Sequence, residues 1–263
     1  MLECTLLLEQ KGRSLLVVKL ISNLKELYKG EDILNKHICI ACISGITALL
    51  TDQDLLKTIQ NNPLMLIIAL VIAIIGAAYL FGYTIETVHL RLQAGITVLP
   101  EITTQPFRRV LGMILIMIVW SFYTMLFGGI VLLFAQLIGI KILAMLLVLG
   151  VVVFSLFVTY VYIAYAKSFQ TFGLMNITLP FKFIKEGFVD TFILILKFIF
   201  LSIALTIPLL IIYFILGLIN KNIGLGLAIC IGGYFSFIIQ LLWYTSLAEI
   251  YENKLQAEVE ELY

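Results

Sequence analysis

The amino-acid sequence predicts an all-α, polytopic helical membrane bundle of about six transmembrane helices. Three observations carry this reading. Of 263 residues, 62% are apolar, against roughly 45–50% in soluble domains. Only 13% are charged, about half the soluble norm. The apolar residues also gather in six blocks, five of them 22 to 26 residues long. A soluble chain of this size could not cover so much apolar surface with so few charges, whereas a bilayer accepts apolar side chains on the outside of a fold. A net charge of +1 supplies no field for nucleic acid. The expected partner is the lipid bilayer, with no nucleic acid.

Residues 1–36 read as an N-terminal cytoplasmic and interfacial segment. Met1–Gln10 has no basic start ahead of its apolar run and no small-residue cleavage site after it, so no cleaved signal peptide is expected. Residues 14–29 form an amphipathic pattern. Leu16, Val17, Leu20, Ile21, Leu24, Leu27 and Tyr28 share one face, and Lys19, Ser22, Asn23, Lys25, Glu26 and Lys29 share the other. Ser14 can cap the start and Gly30 can end it. The segment is too charged to span. Two readings stand: it lies in the headgroup plane, as basic amphipathic helices do, or it packs on the cytoplasmic ends of the other helices.

The membrane domain covers 37–248, with spans at about 37–50, 64–85, 110–135, 142–166, 191–216 and 223–248. The last five are each long enough to cross roughly 30 Å of hydrocarbon. The first, His37–Leu50, reaches only about 21 Å. Basic residues set the orientation. One side carries six in the N-terminal segment, three in 86–109, three in 167–190 and one after residue 248, thirteen in all. The other side carries Lys57, Lys141 and Lys221. This places both termini in the cytoplasm of a multi-pass cell-membrane protein. It also requires the short first block to span, because otherwise six basic residues would be translocated. Residues 249–263, with Glu249, Glu252, Glu258, Glu260 and Glu261, read as an acidic cytoplasmic tail.

The cytoplasmic connections resemble one another. Ile96-Thr97-Val98-Leu99-Pro100 recurs as Ile177-Thr178-Leu179-Pro180, and Tyr83-Thr84 with Leu92-Gln93-Ala94 recurs as Tyr244-Thr245 with Leu255-Gln256-Ala257. Such spacing fits three parallel helical hairpins, each followed by a polar elbow. In the first full elbow, Pro100 and Pro106 stop helix propagation, and Arg108 and Arg109 are placed to anchor at anionic headgroups. The alternative for these two is a docking surface for a cytoplasmic partner. The stretch Gly82-Tyr83, then Glu86, His89 and Arg91, then Gly95 and Leu99-Pro100-Glu101 resembles an uncharacterised bacterial and archaeal membrane family, domain of unknown function 4013. The resemblance covers residues 30–220, with its specific motif in Gly82–Glu101. It implies a multi-span membrane domain and brings no activity.

No catalytic, cofactor-binding or metal site is read from the sequence, and the chain is expected not to be an enzyme and to need no cofactor. Cys39 and Cys42, with His37 before them, share a helix face, but no fourth ligand or thioredoxin-like pattern accompanies them. Small apolar residues inside a span is the simpler reading. Lys197 lies near the cytoplasmic end of the fifth span, where it can snorkel or pair with Asp190. Gln136 and Gln240 are the membrane-depth amides and are expected to bond to neighbouring helices. Ala69, Ala73 and Ala77, and Gly224, Ala228, Gly232 and Ser236, recur every four residues, so each set is expected to form a close-packing stripe. Pro208 is expected to kink its span, with Thr206 and neighbouring groups able to take up freed hydrogen bonds. The expected role is a non-enzymatic auxiliary or scaffolding component that works with other membrane subunits. The alternative is a membrane subunit of a transporter, an ABC-exporter-like permease, whose cytoplasmic ATPase would dock on residues 86–95 or 181–189.

Overall fold

The computed structural model describes residues 20–30, 32–51, 62–138, 141–171, 173–219 and 221–255. Most of these residues are helical, with no strand among them. The long helices are α1 (Ile33–Leu50), α2 (Pro63–Ala94), α3 (Gln105–Ile138), α4 (Lys141–Ser168), α5 (Leu179–Ile219) and α6 (Lys221–Ile250), and α6 continues into a π-helical turn over Tyr251–Leu255. All six are long and apolar enough to cross a membrane. A shorter helical stretch covers 20–26.

Local chemistry sets the ends. Asn62 accepts from the Met65 N–H at 3.3 Å, and Pro63 opens α2 where a missing N–H costs nothing. Gly95, at φ 72, closes α2 and donates its N–H to the Arg91 carbonyl at 2.9 Å, the left-handed cap that glycine allows. Pro106 and Pro180 each stand second in their helices, while Pro100 lies in the non-helical elbow. The first span is longer than its apolar block. Helix α1 starts four residues earlier, at Ile33, and its 18 residues reach about 27 Å.

Helices α2, α4 and α6 contact one another at the centre. Around them α1 sits between α6 and α2, α3 between α2 and α4, and α5 between α4 and α6. Each consecutive pair is therefore one hairpin with its first helix outside and its second inside, and the three hairpins follow one another around the bundle as the repeats predict. Burial concentrates where the connections 95–104 and 169–178 lie, here called the elbow end. Tyr83, Tyr160, Phe157, Phe183 and Tyr251 are fully buried there. Toward the other end Ile67, Ile74, Leu133, Leu210 and Phe214 face outward, as lipid-facing side chains do. The first residues of α5 cross over α4: Phe181 packs on Phe154, and Phe183 packs on Tyr160.

Two packing expectations change. The close approach on α6 runs through Gly233 rather than Gly232. A Cβ on Gly233 would stand 2.8 Å from Ala48 Cβ and 2.9 Å from the Ser44 carbonyl, whereas one on Gly232 meets nothing within 4 Å. On α2, Ala69 and Ala73 are buried as expected, but Ala77 is exposed and Gly76 takes the next contact, against Thr47. On α2 the stripe drifts back by one residue because 3.6 residues per turn does not match a four-residue repeat; on α6 Gly233 lies on a different face from the four-residue stripe. Helix α5 runs on through Pro208. Thr206 Oγ1 bonds to the Ser202 carbonyl at 2.7 Å and not to Ala204, the carbonyl four residues before the proline.

Candidate functional site

A buried polar cluster joins residues 23–26 and Glu249 to the first elbow. Arg91, near the end of α2, donates from Nη2 to Glu249 Oε1 at 2.7 Å. Asn23 Nδ2 donates to the same oxygen at 3.1 Å. Thr97 Oγ1 donates to Asn23 Oδ1 at 3.3 Å, and the Thr97 N–H donates to Glu26 Oε2 at 2.8 Å. The Arg91 and Glu249 side chains are 9% and 6% exposed. Glu249, expected in a solvated tail, is thus inside the fold. Asn23 and Glu26 come from the expected polar face of the amphipathic segment and turn inward. Leu27 is fully buried. Residues 20–29 contact the bundle through Asn23, Glu26 and Leu27. Residues 14–19 lie outside the described residues.

His37 extends this cluster. Its ring stacks on Tyr28 at 4.4 Å, its Nε2 lies 2.9 Å from the Leu27 carbonyl and its Nδ1 lies 2.8 Å from Tyr234 Oη. Both ring nitrogens are therefore occupied, and His37 is not aimed at the cysteines. Cys39 and Cys42 are exposed free thiols. No group of three potential metal ligands occurs among the described residues.

A second cluster joins α2, α3 and α4. Glu86 Oε2 accepts from Arg109 Nε at 2.6 Å. The Arg109 guanidinium lies 3.6 Å above the Phe169 ring, a favourable cation–π placement. His89 Nδ1 lies 2.7 Å from the Ala166 carbonyl. Arg108 is exposed, as an anchor must be, but Arg109 turns inward instead. The Gly-Tyr and Leu-Pro motif has a physical role here. Tyr83 Oη donates to the Pro100 carbonyl at 2.7 Å. A Cβ on Gly82 would overlap the Pro106 carbonyl, so only glycine lets the start of α3 come this close.

Asp190 does not reach Lys197. Its partner is Lys254, which arrives from the π-helical turn. Lys197 is part-exposed on α5. Gln240 lines a crevice of about 1040 Å3 between α4, α5 and α6, together with Ser155, Ser202, Ser236 and Trp243 among apolar walls. The Gln136 side chain lies outside the described residues. The buried ion pairs escaped sequence reasoning. Their only signal was the placement of Glu86, Arg91 and Glu249 just past apolar blocks, where charges are ordinary.

Comparison with protein-family models, with curated proteins and with solved structures finds none that matches this chain.

Proposed function

We propose that the chain is a non-enzymatic multi-pass scaffolding component of the cell membrane, with both termini cytoplasmic. One observation supports the scaffolding reading most. Among the described residues the buried carboxylate, arginine and histidine side chains each have a bonded partner, Arg91 with Glu249, Glu86 with Arg109, and His37 with a carbonyl and a tyrosine, although the Arg91 Nε and the buried Tyr79 hydroxyl make no hydrogen bond. Catalytic and proton-relay sites instead hold ionisable groups facing a cavity. Groups spent in this way tie residues 23–26 and Glu249 to the first elbow, as a structural role requires. The thirteen-to-three distribution of basic residues supports the orientation. Native mass spectrometry of the complex extracted in mild detergent tests the role. Stable association with other membrane subunits is expected, and a lone chain in every extract counts against scaffolding.

A second reading, the permease subunit, is narrowed by burial. Glu86, Thr87, Val88 and Arg91 are buried, so the first part of 86–95 is taken up within the bundle, while Gln93, Ala94 and Gly95 stay exposed. Phe181, Lys185, Phe188 and Val189 remain exposed, and any ATPase would dock there. Co-purification of an ATPase that is lost on charge reversal at Lys185 favours this reading over scaffolding.

A further inference from the structure

We propose that the crevice between α4, α5 and α6 binds an uncharged lipid bearing a carbonyl or hydroxyl group, taken from the surrounding bilayer. The inference is independent of the scaffolding role. The three-hairpin plan supplies its own comparison, because each outer helix occupies the same kind of slot between two inner ones. Helix α1 is closely seated: Gly45 approaches Cys230, Gly233 approaches Ser44 and Ala48, and Gly76 approaches Thr47. Helix α3 is closely seated at Gly82, against Pro106, and at Gly112, against Tyr165. Helix α5 is not. Only 6% of its most apolar stretch is buried, against 17% for α1 and α3. The space left is about 1040 Å3, at the upper end of the roughly 300–1,000 Å3 typical of ligand pockets.

The lining selects the occupant. It contains no ionisable side chain, so a charged headgroup would lose its hydration without gaining a partner. Polar groups are nonetheless present at mid-span. Ser155 returns its hydroxyl to the Val151 carbonyl at 2.9 Å. The Ser202 and Ser236 hydroxyls and the Gln240 amide make no hydrogen bond among the described residues. Unmet polar groups are costly at hydrocarbon depth, where water is scarce. An ester carbonyl or a hydroxyl satisfies them without bringing charge, and Val152, Phe192 and Ile199 offer acyl chains an apolar wall.

The test uses the full chain in phosphatidylcholine vesicles that contain a diacylglycerol with a diazirine on one acyl chain. After illumination, label is expected on 149–156, 192–203 and 236–243, and excess unlabelled diacylglycerol should compete it away. Ser236→Phe fills the crevice and is expected to abolish this label, while Ile74→Phe on the exposed face of α2 leaves it unchanged. Gln240→Leu is expected to weaken competition roughly three- to tenfold, as loss of hydrogen bonding implies. Both crevice variants are first required to keep the parent's unfolding temperature; if Ser236→Phe does not, Ser202→Phe replaces it. Equal labelling by a diazirine phosphatidylcholine overturns the proposal, because ordinary boundary lipid would then fill the crevice. A cross-link between two copies through these segments, or label insensitive to filling, overturns it as well.

Discussion

Replacing Arg91 with Met tests the polar cluster. The substitution keeps length and apolar volume but removes the cation from a pair whose members are 9% and 6% exposed. Glu249 is then a buried carboxylate with only the Asn23 amide, at 3.1 Å, for a side-chain partner. Breaking one side of a buried pair costs about 3–5 kcal/mol. The Asn23 bond and the proximity of the elbow surface put this case at the lower end, about 3 kcal/mol. Against a typical folding stability of about 5–15 kcal/mol, that loss is large. Arg91→Met/Glu249→Met removes both charges, and it should be less destabilised than Arg91→Met alone because no charge stays buried without a partner. Equilibrium unfolding in mild detergent reads the stabilities, and limited proteolysis near residue 20 reads release of the N-terminal segment. If Arg91→Met stays within about 0.5 kcal/mol of the parent, as surface changes do, or the double variant loses the sum of the two single losses, the pair does not hold the ends together.

The small-residue contact separates neighbouring positions: Gly233→Leu should cost about 3 kcal/mol or more by overpacking against Ala48 and Ser44, while Gly232→Leu should be mild, and thermal unfolding of the two compares them directly. Trp120 Nε1 donates to the buried Leu174 carbonyl at 2.9 Å, so Trp120→Phe should lose about 1–3 kcal/mol in the same assay. The Lys254–Asp190 pair is 48% and 28% exposed, so Lys254→Ala should cost less than about 1 kcal/mol. Lys197→Arg should leave stability within about 0.5 kcal/mol, because a part-exposed cation that snorkels is replaced by another.

Which features the sequence revealed follows from the range of the interactions. Span number comes from local apolar length, and the helices have it. The hairpin repeat shows through because Leu99-Pro100 and Leu179-Pro180 are both buried and each leads into an outer helix. The first span looked too short because only apolar residues were counted, and Asn35 and Lys36 are helical too. Close packing was assigned one residue away, at Gly232, since adjacent glycines offer two faces and the choice depends on α1, nearly two hundred residues earlier in the chain. The polar cluster was invisible for the same reason. Arg91 and Glu249 are 158 positions apart, and each alone reads as an ordinary charge beyond a span. The crevice depends on how far α5 stands from α4, which no local pattern encodes.

Cysteine accessibility tests the six-span arrangement with both termini cytoplasmic. In a background lacking Cys4, Cys39, Cys42 and Cys230, single cysteines are placed at Lys25, Gln60 and Gln256, and intact cells are treated with a membrane-impermeant thiol reagent. The arrangement predicts reaction at position 60, with positions 25 and 256 reacting only after the membrane is opened. Labelling at position 25 in intact cells with protection at 256 would contradict it, leaving five spans and an N-terminus outside.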